Sequence, residues 1–452
     1  MSRNNLGFVL FMSLLLIAPK IPLKIPGGAE RSSVSLGLAG LMIWFLSCPK
    51  RPFSFPRIGA WHPLFWIIIF AIYAFVVSLL SGSVVSIAYA FQFLAYAVIG
   101  TILMRRYAKN FMSTNRCNKN SILFGIAIIY SIGMLISVLT GPIYPHQTIS
   151  TVRGRGGFYI QQGIGFSESQ NVAGIVVVFF AAACIYMYRG KTWKKCILLC
   201  LLLLALISTL SRSAIISFLL AFAFVCCLDN FGPIIQRGSI KVSVLKDMAF
   251  VILALSLSGT AYILGIYCVN KSLLFAILPF FDVTGKGGLM ASHMAGRFNL
   301  WWWGLNNWAS GTLLKMIFGG GFRGSMTIST GGAWRTAHNA YITILGDFGV
   351  VGLTLFLAAL FGAFFHYARL FLTDKAGRAE RFGLMAVLAL SIHSMTGPYF
   401  YSPICLSLLI FSFGATLSAH NFFGMHVDDV SSRDRFEKES KFLEDNPYVR
   451  SD

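Results

Sequence analysis

Apolar runs close to the length of a bilayer-spanning helix recur about twelve times along this chain, at approximately 6–24, 33–48, 61–81, 84–104, 121–142, 171–188, 196–210, 213–231, 248–268, 338–367, 383–399 and 402–419. A spanning helix needs roughly 20 such residues, so few remain for soluble domains. Composition agrees: 56% of residues are hydrophobic and only 12% charged, with a mean hydropathy of +0.71, which no soluble globule can accommodate. The expected fold is an all-α polytopic membrane protein of about 12 transmembrane helices. It divides into helices one to nine over 1–268, a large outer loop with an interfacial helix over 269–337, helices ten to twelve over 338–419, and a tail over 420–452 whose mixed charge predicts a solvated segment. The first run meets Pro19-Lys20-Ile21-Pro22 without a small-residue cleavage site, and is read as a retained helix and not a removed signal peptide.

Orientation follows from Lys and Arg, which concentrate in short cytoplasmic loops. Every second loop is basic: Lys50 to Arg57, Arg105 to Lys119, Arg189 to Lys195, Arg237 to Lys246 and Arg369 to Arg381 fall on one side. That side is expected to be the cytoplasm, with both termini on it, and 25 of the 37 basic residues belong to it.

The nine cysteines lie mostly within or beside the apolar runs and show no paired spacing in exposed loops, so no disulfide framework is expected. Metal-ligand spacing is missing as well, since there is no Cys-x-x-Cys and no His-Glu-x-x-His and the eight histidines are scattered. Neither a phosphate-binding P-loop nor an Asp-x-Asp pair for Mg²⁺ and a nucleotide sugar is present. No cofactor is expected, and any donor should carry its own leaving group.

The outer side is lopsided in charge. Lys20, Lys24, Arg31, Arg153, Arg155, Arg212, Lys271, Lys286, Arg297, Lys315, Arg323 and Arg335 face only Glu30, Glu168 and Asp282. Positive charge outside opposes the orienting bias, and an arginine in hydrocarbon costs about 3 kcal/mol, so either an anionic ligand or lipid headgroups should answer it. Arg212 stands in Ser211-Arg212-Ser213, a three-residue break between two apolar runs. A helix starting there, capped by Ser211 or Ser213, offers free N–H groups and a positive dipole end to an anion, and the guanidinium adds a bidentate fork. An interfacial arginine reaching to headgroups has the same local sequence. Arg153 and Arg155 form a basic, flexible Arg-Gly-Arg-Gly-Gly patch in the loop before the sixth run.

The 269–337 loop holds Gly296-Arg297-Phe298-Asn299-Leu300-Trp301-Trp302-Trp303-Gly304-Leu305-Asn306-Asn307-Trp308, dense in residues that favour the bilayer interface, so this segment should lie on the membrane with Arg297 at headgroup height. It can serve as a plain anchor or as a clamp on a lipid-linked head. Gly319-Gly320-Gly321 and Gly331-Gly332 predict loops able to bring Arg323 or Arg335 over a site. Next comes His338-Asn339 at the mouth of the tenth run, with Thr336 as the expected N-cap. The helix start and nearby arginines disfavour an imidazolium, leaving the neutral form that can act as a general base; a histidine at a helix start also serves purely structural ends. Gly346, Gly349 and Gly352 are read as permitting close helix packing beneath it.

His338-Asn339, nine residues, Gly349, two residues, Gly352 resembles the His-Asn/Ser/Gln, nine, Gly, two, Gly/Thr/Tyr pattern of the bacterial O-antigen ligase and polysaccharide polymerase superfamily. The resemblance extends to Ser211-Arg212-Ser213, to Gly296-Arg297 with its tryptophans, to the Gly-rich run before the histidine, and to Gly165-Phe-Ser-Glu-Ser-Gln-Asn171 opening the sixth run. It implies a glycosyltransferase C-type fold in the bacterial cytoplasmic (inner) membrane, independent of metal, that inverts the linkage while moving a glycan from undecaprenyl diphosphate to an acceptor on the periplasmic side. Carried over, it makes His338 the base on the acceptor hydroxyl and makes Arg212 and Arg297 the diphosphate ligands. Arg153, Arg155 and Arg335 are weaker candidates for the same anion, and Glu168 and Asn339 are candidates to orient the acceptor.

Ligation onto a lipid A-core acceptor is the leading expectation. Polymerisation, in which the acceptor is another lipid-linked repeat of O-antigen, capsule or exopolysaccharide, shares all these motifs. A transporter for anionic solutes would use the arginines as a vestibule, but no paired broken helices or buried ionic relay is evident, Asp347 being the only acid well inside a run. A glycosyltransferase using carboxylates of the first outer loop would need an acidic pair where only Glu30 stands.

Overall fold

The computed structural model describes residues 3–16, 21–24, 31–34, 36–47, 62–113, 120–141, 151–153, 159–161, 163–167, 169–237, 242–269, 289–325, 327–328, 334–373 and 376–414. Each apolar run contains a helix, although the first, expected over 6–24, is described as helical only to Leu16 and its last four residues, Ile21–Lys24, form a strand. The helices are α1 (Arg3–Leu16), α2 (Leu36–Ser47), α3 (Pro63–Leu80), α4 (Val84–Ser113), α5 (Asn120–Thr140), α6 (Gln170–Met187), α7 (Thr192–Ser208), α8 (Arg212–Arg237) and α9 (Val242–Val269). The 269–337 segment adds α10 (Leu289–Ala309) and the single turn and a half of α11 (Leu313–Phe318). The chain then continues through α12 (Ala340–Leu372) and α13 (Arg378–His393) to α14 (Pro403–Gly414). The expected all-helical character holds apart from three antiparallel two-stranded ribbons, Ile21–Lys24 with Arg31–Val34, Thr151–Arg153 with Tyr159–Gln161, and Thr327–Ile328 with Trp334–Arg335. Among the described residues seven helices are long and apolar enough to cross a membrane: α3, α4, α5, α6, α8, α9 and α12. The chain is therefore a polytopic helical membrane protein.

Helix starts follow local chemistry. Pro63 opens α3, where no N–H is required, and His62 caps it by accepting from the Leu64 amide. Ser169 caps α6 through the Val172 amide. Small and branched apolar residues then let α6 be enclosed on all sides: 89% of its span is buried, against 17% for Val244–Leu264 of α9. The enclosed helix forms the centre of the bundle, and α9, packed chiefly on α7, presents Leu253, Leu257 and Leu264 outward, as a lipid-facing helix does.

Two further expectations about the helices need correction. The eleventh run, expected over 383–399, stays helical only to His393 and then tightens into 3-10 turns at Ser394–Thr396 and Tyr399–Tyr401 around Gly397-Pro398. The tenth is not continuous, because Gly349 adopts φ 65° and ψ −169° inside α12 and breaks it. Into the break come the last turn of α11 and the glycines that follow it. A Cβ on Gly349 would lie 2.2 Å from the Ile317 carbonyl, and one on Gly319 (φ 84°) would lie 2.2 Å from the Asp347 carbonyl, so the two glycines interlock. Gly346 faces Ser325 in the same way. Gly349 thus packs against the last turn of α11, as a helix-packing glycine does, whereas Gly346 admits the non-helical segment at Ser325, which corrects the helix-packing expectation at that one position. Gly352 does face another helix, through Tyr73 of α3.

The break is chemically repaired. Gly320 and Gly321 donate to the Asp347 carbonyl, each at 2.9 Å, and the Tyr73 hydroxyl is shared between the carbonyls of Phe318 (2.9 Å) and Phe348 (3.1 Å). Backbone polar groups exposed to hydrocarbon would each cost several kcal/mol, which explains why the segment carries glycines and why a tyrosine waits on α3. Phe322 then plugs into the core, edge-on to Phe348 with ring centroids 4.9 Å apart and 5.7 Å from Phe93.

Candidate functional site

The ends of α7 and α13, the starts of α6, α8 and α12, and the α10 helix meet at one end of the bundle. In the first element, α7 ends in a tight turn through Thr209 and Leu210, the latter at φ 51°, and α8 begins at Arg212. Ser211 is the cap: its carbonyl takes the amides of Ala214 and Ile215, both at 3.1 Å, while its hydroxyl donates to Asn171 Oδ1 at 2.7 Å. This ties the start of α8 to the start of α6 and leaves Arg212 half-buried at a positive helix terminus.

The second element is α10, which carries Arg297 one turn before Trp301, Trp302 and Trp303. It is seated on the start of α12 at Gly304, whose absent side chain would meet Ala337 and Ile342 at 2.8 Å. Arg297 is close enough to act electrostatically on both Arg212 and His338, so the three residues singled out for donor and acceptor chemistry share one site.

His338 occupies a left-handed backbone position, φ 47°, sparsely populated by side-chain-bearing residues and often found where a group must be aimed. It precedes the helix instead of lying in its first turn. Asn339, not Thr336, is the N-cap, with Oδ1 accepting from Tyr341 (2.9 Å) and Ile342 (3.3 Å). The carboxamide oxygen of Asn339, a residue expected to orient an acceptor, accepts from these helix amides. The imidazole is exposed yet crowded by protein on its inner side. Desolvation there, and secondarily the Arg297 guanidinium, hold its pKa below the ordinary 6.5.

Behind these groups stand residues that sequence reasoning did not single out. His393, at the end of α13, is completely buried and stacked on Tyr399, with centroids 4.3 Å apart and planes at 25°. The backbones of Ser213 and Asn171 lie beside it, neither aligned for a hydrogen bond to its ring. Tyr399 reaches Thr396 and Asn171 and also feels Arg297. The signal available in sequence was the Gly397-Pro398 interruption, which hid in a run otherwise suited to a span.

The side chains of the remaining diphosphate and acceptor candidates lie outside what the structure describes. Arg153 lies in the Thr151–Arg153 strand and Arg335 in the Trp334–Arg335 strand, with only their backbones described, and Arg155 and Glu168 fall outside the described residues. Arg323 is drawn away from the Arg212 cluster: its guanidinium lies 4.5 Å over the Tyr89 ring and donates to the Tyr89 hydroxyl at 2.9 Å. Among the described residues no three His, Cys, Asp or Glu side chains gather as a metal site.

No protein-family model matches this chain, and no curated protein sequence matches it.

Proposed function

We propose that the chain is a membrane glycosyltransferase of the bacterial inner membrane that moves a glycan from undecaprenyl diphosphate to an acceptor hydroxyl on the periplasmic side, and that it acts as an O-antigen ligase on lipid A-core. In this reading all twelve membrane helices, α1 to α9 and α12 to α14, cross the bilayer in a glycosyltransferase C-type arrangement, with both termini cytoplasmic. The observation that carries it is the placement of Arg297 beside both Arg212 and His338. A diphosphate would match two guanidiniums at one site in both charge and geometry, each offering it a bidentate fork.

The chemistry then follows. The neutral His338 imidazole takes the proton from the acceptor hydroxyl as its oxygen attacks the anomeric carbon. The bond from that carbon to the diphosphate breaks, and the diphosphate leaves with the electron pair. Arg212 and Arg297 stabilise the charge that grows on it, the α8 dipole assists, and attack from the opposite face inverts the linkage. The depressed pKa of His338 keeps the base unprotonated at neutral pH.

Deletion of the gene in its native bacterium, with analysis of the surface glycan, tests the assignment. Long lipid-linked polymer beside bare core is expected; single repeats on the core would make the enzyme a polymerase with a lipid-linked acceptor. Normal glycan from a His338→Ala variant that reaches the membrane would remove the base.

A further inference from the structure

We propose that Asp347 is a positioning residue for Arg297, fixing the α10 arm to the break in α12 so that guanidinium and imidazole keep their relation. The inference rests on the reading above for its catalytic consequence, and on geometry for its content.

Asp347 is wholly buried inside a membrane helix, and it is engaged on both sides by the segment that follows α11. Its Oδ1 accepts from the Ser325 amide at 2.8 Å and the Ser325 hydroxyl at 2.6 Å, and its Oδ2 accepts from the Arg323 amide at 3.1 Å. Only a carboxylate accepts on both oxygens; an amide would turn a donor toward one of these donors. Ser325 passes the constraint on, because its carbonyl accepts from Asn307 Nδ2 at 3.2 Å, and Asn307 belongs to α10. Trp308 adds a second strut by donating to the Met316 carbonyl at 3.1 Å. Arg297 stands ten residues before Asn307 on the same helix, about 15 Å away at 1.5 Å per residue. A tilt of α10 by roughly 10° at Asn307 would therefore move Arg297 by about 2.6 Å, and a misplacement of about 1 Å is enough to lower a rate about 10²-fold. The same α12 carries Asp347 below the site and His338 at its mouth, so one helix holds the base and, through Asp347, the arm bearing the anion ligand.

The test reads His338 itself. In the purified full-length protein, the pH dependence of His338 carbethoxylation by diethyl pyrocarbonate, followed by mass spectrometry, gives its titration midpoint without any need for glycan transfer. Removing the Asp347 charge would by itself lower that midpoint. Release of Arg297 acts in the opposite direction, so Asp347→Asn is expected to raise it, as Arg297→Gln does, and Asp347→Asn added to Arg297→Gln is expected to raise it no further. Ser325→Ala and Asn307→Leu interrupt the same path with less insult to the core and carry the test if Asp347→Asn fails to accumulate, a smaller rise being expected from each. A midpoint unchanged or lowered in variants that fold, or a rise that persists undiminished on the Arg297→Gln background, would overturn the proposal. If instead the midpoints move as expected while Arg297→Gln retains full transfer activity, the functional reading fails and the positioning role stands.

Discussion

The two ends of this helical bundle handle charge in opposite ways. At the end where α8 finishes and α13 begins, unlike charges meet: Arg381 Nη2 donates to Asp229 Oδ1 at 3.0 Å, its Nε lies 3.0 Å from Oδ2, and Lys195 approaches Asp247 at 3.9 Å. At the end where α8 begins, Arg212 and Arg297 come together with His338. The first arrangement joins α13 to α8 and α7 to α9, and needs nothing further. The second brings like charges to one place, where the proposed function has a diphosphate supply the negative charge. Pairing of unlike charge joins helices here, and gathered like charge lies where the proposed function puts its ligand.

That contrast is open to test from its strongest effect to its weakest. His338→Ala should lower transfer by about 10²- to 10⁴-fold while the amount of protein in the membrane stays unchanged, as a pulse-labelled transfer assay beside an immunoblot would read. Arg381→Ala should do the reverse. It removes the ion-pair partner of the 7% exposed Asp229 carboxylate and should cost about 3–5 kcal/mol of stability, visible as loss of folded protein on denaturant titration, with activity per surviving molecule retained. Replacing both partners, Asp229→Leu with Arg381→Met, should recover most of that loss. The pH profile offers an intermediate effect. The acid limb of the transfer rate should lie below the ordinary imidazole value of 6.5, and Arg297→Gln should move it upward, since removing a neighbouring cation favours the protonated ring. Lys195→Ala should be the mildest, within about 1 kcal/mol, because its ion pair is long and partly solvated. Were Lys195→Ala as damaging as Arg381→Ala, the pairs at that end would not be ranked by burial and geometry as argued.

How much of this could be read from the sequence depended on the range of the cause. Apolar runs are local, so all twelve appear as helices, and Ser211-Arg212-Ser213 is a turn whose cap is written in adjacent residues. The spacing of His338, Gly349 and Gly352 marked the right segment but not its shape. Gly349 looks like any packing glycine until its partner, the Ile317 carbonyl, is brought from more than thirty residues away. Asp347 stood out as a lone acid, yet the three donors that justify it come from Arg323 and Ser325, which the hydropathy pattern placed in an outer loop. His393 was silent because a histidine inside an apolar run is commonly a core residue, and only the folding of Tyr399 and Asn171 against it identifies its place.

The central claim is that Arg212 and Arg297 hold a diphosphate. Binding of undecaprenyl diphosphate to the purified protein in detergent, followed through the fluorescence of Trp301, Trp302 and Trp303 beside Arg297, tests it most directly. The account predicts saturable binding that weakens at least about tenfold in Arg212→Ala and in Arg297→Ala, each lost charge-assisted contact contributing about 1.5–3 kcal/mol, with affinity unchanged in the Asp229→Leu, Arg381→Met protein. Equal affinity in the wild-type and Arg297→Ala proteins would contradict it.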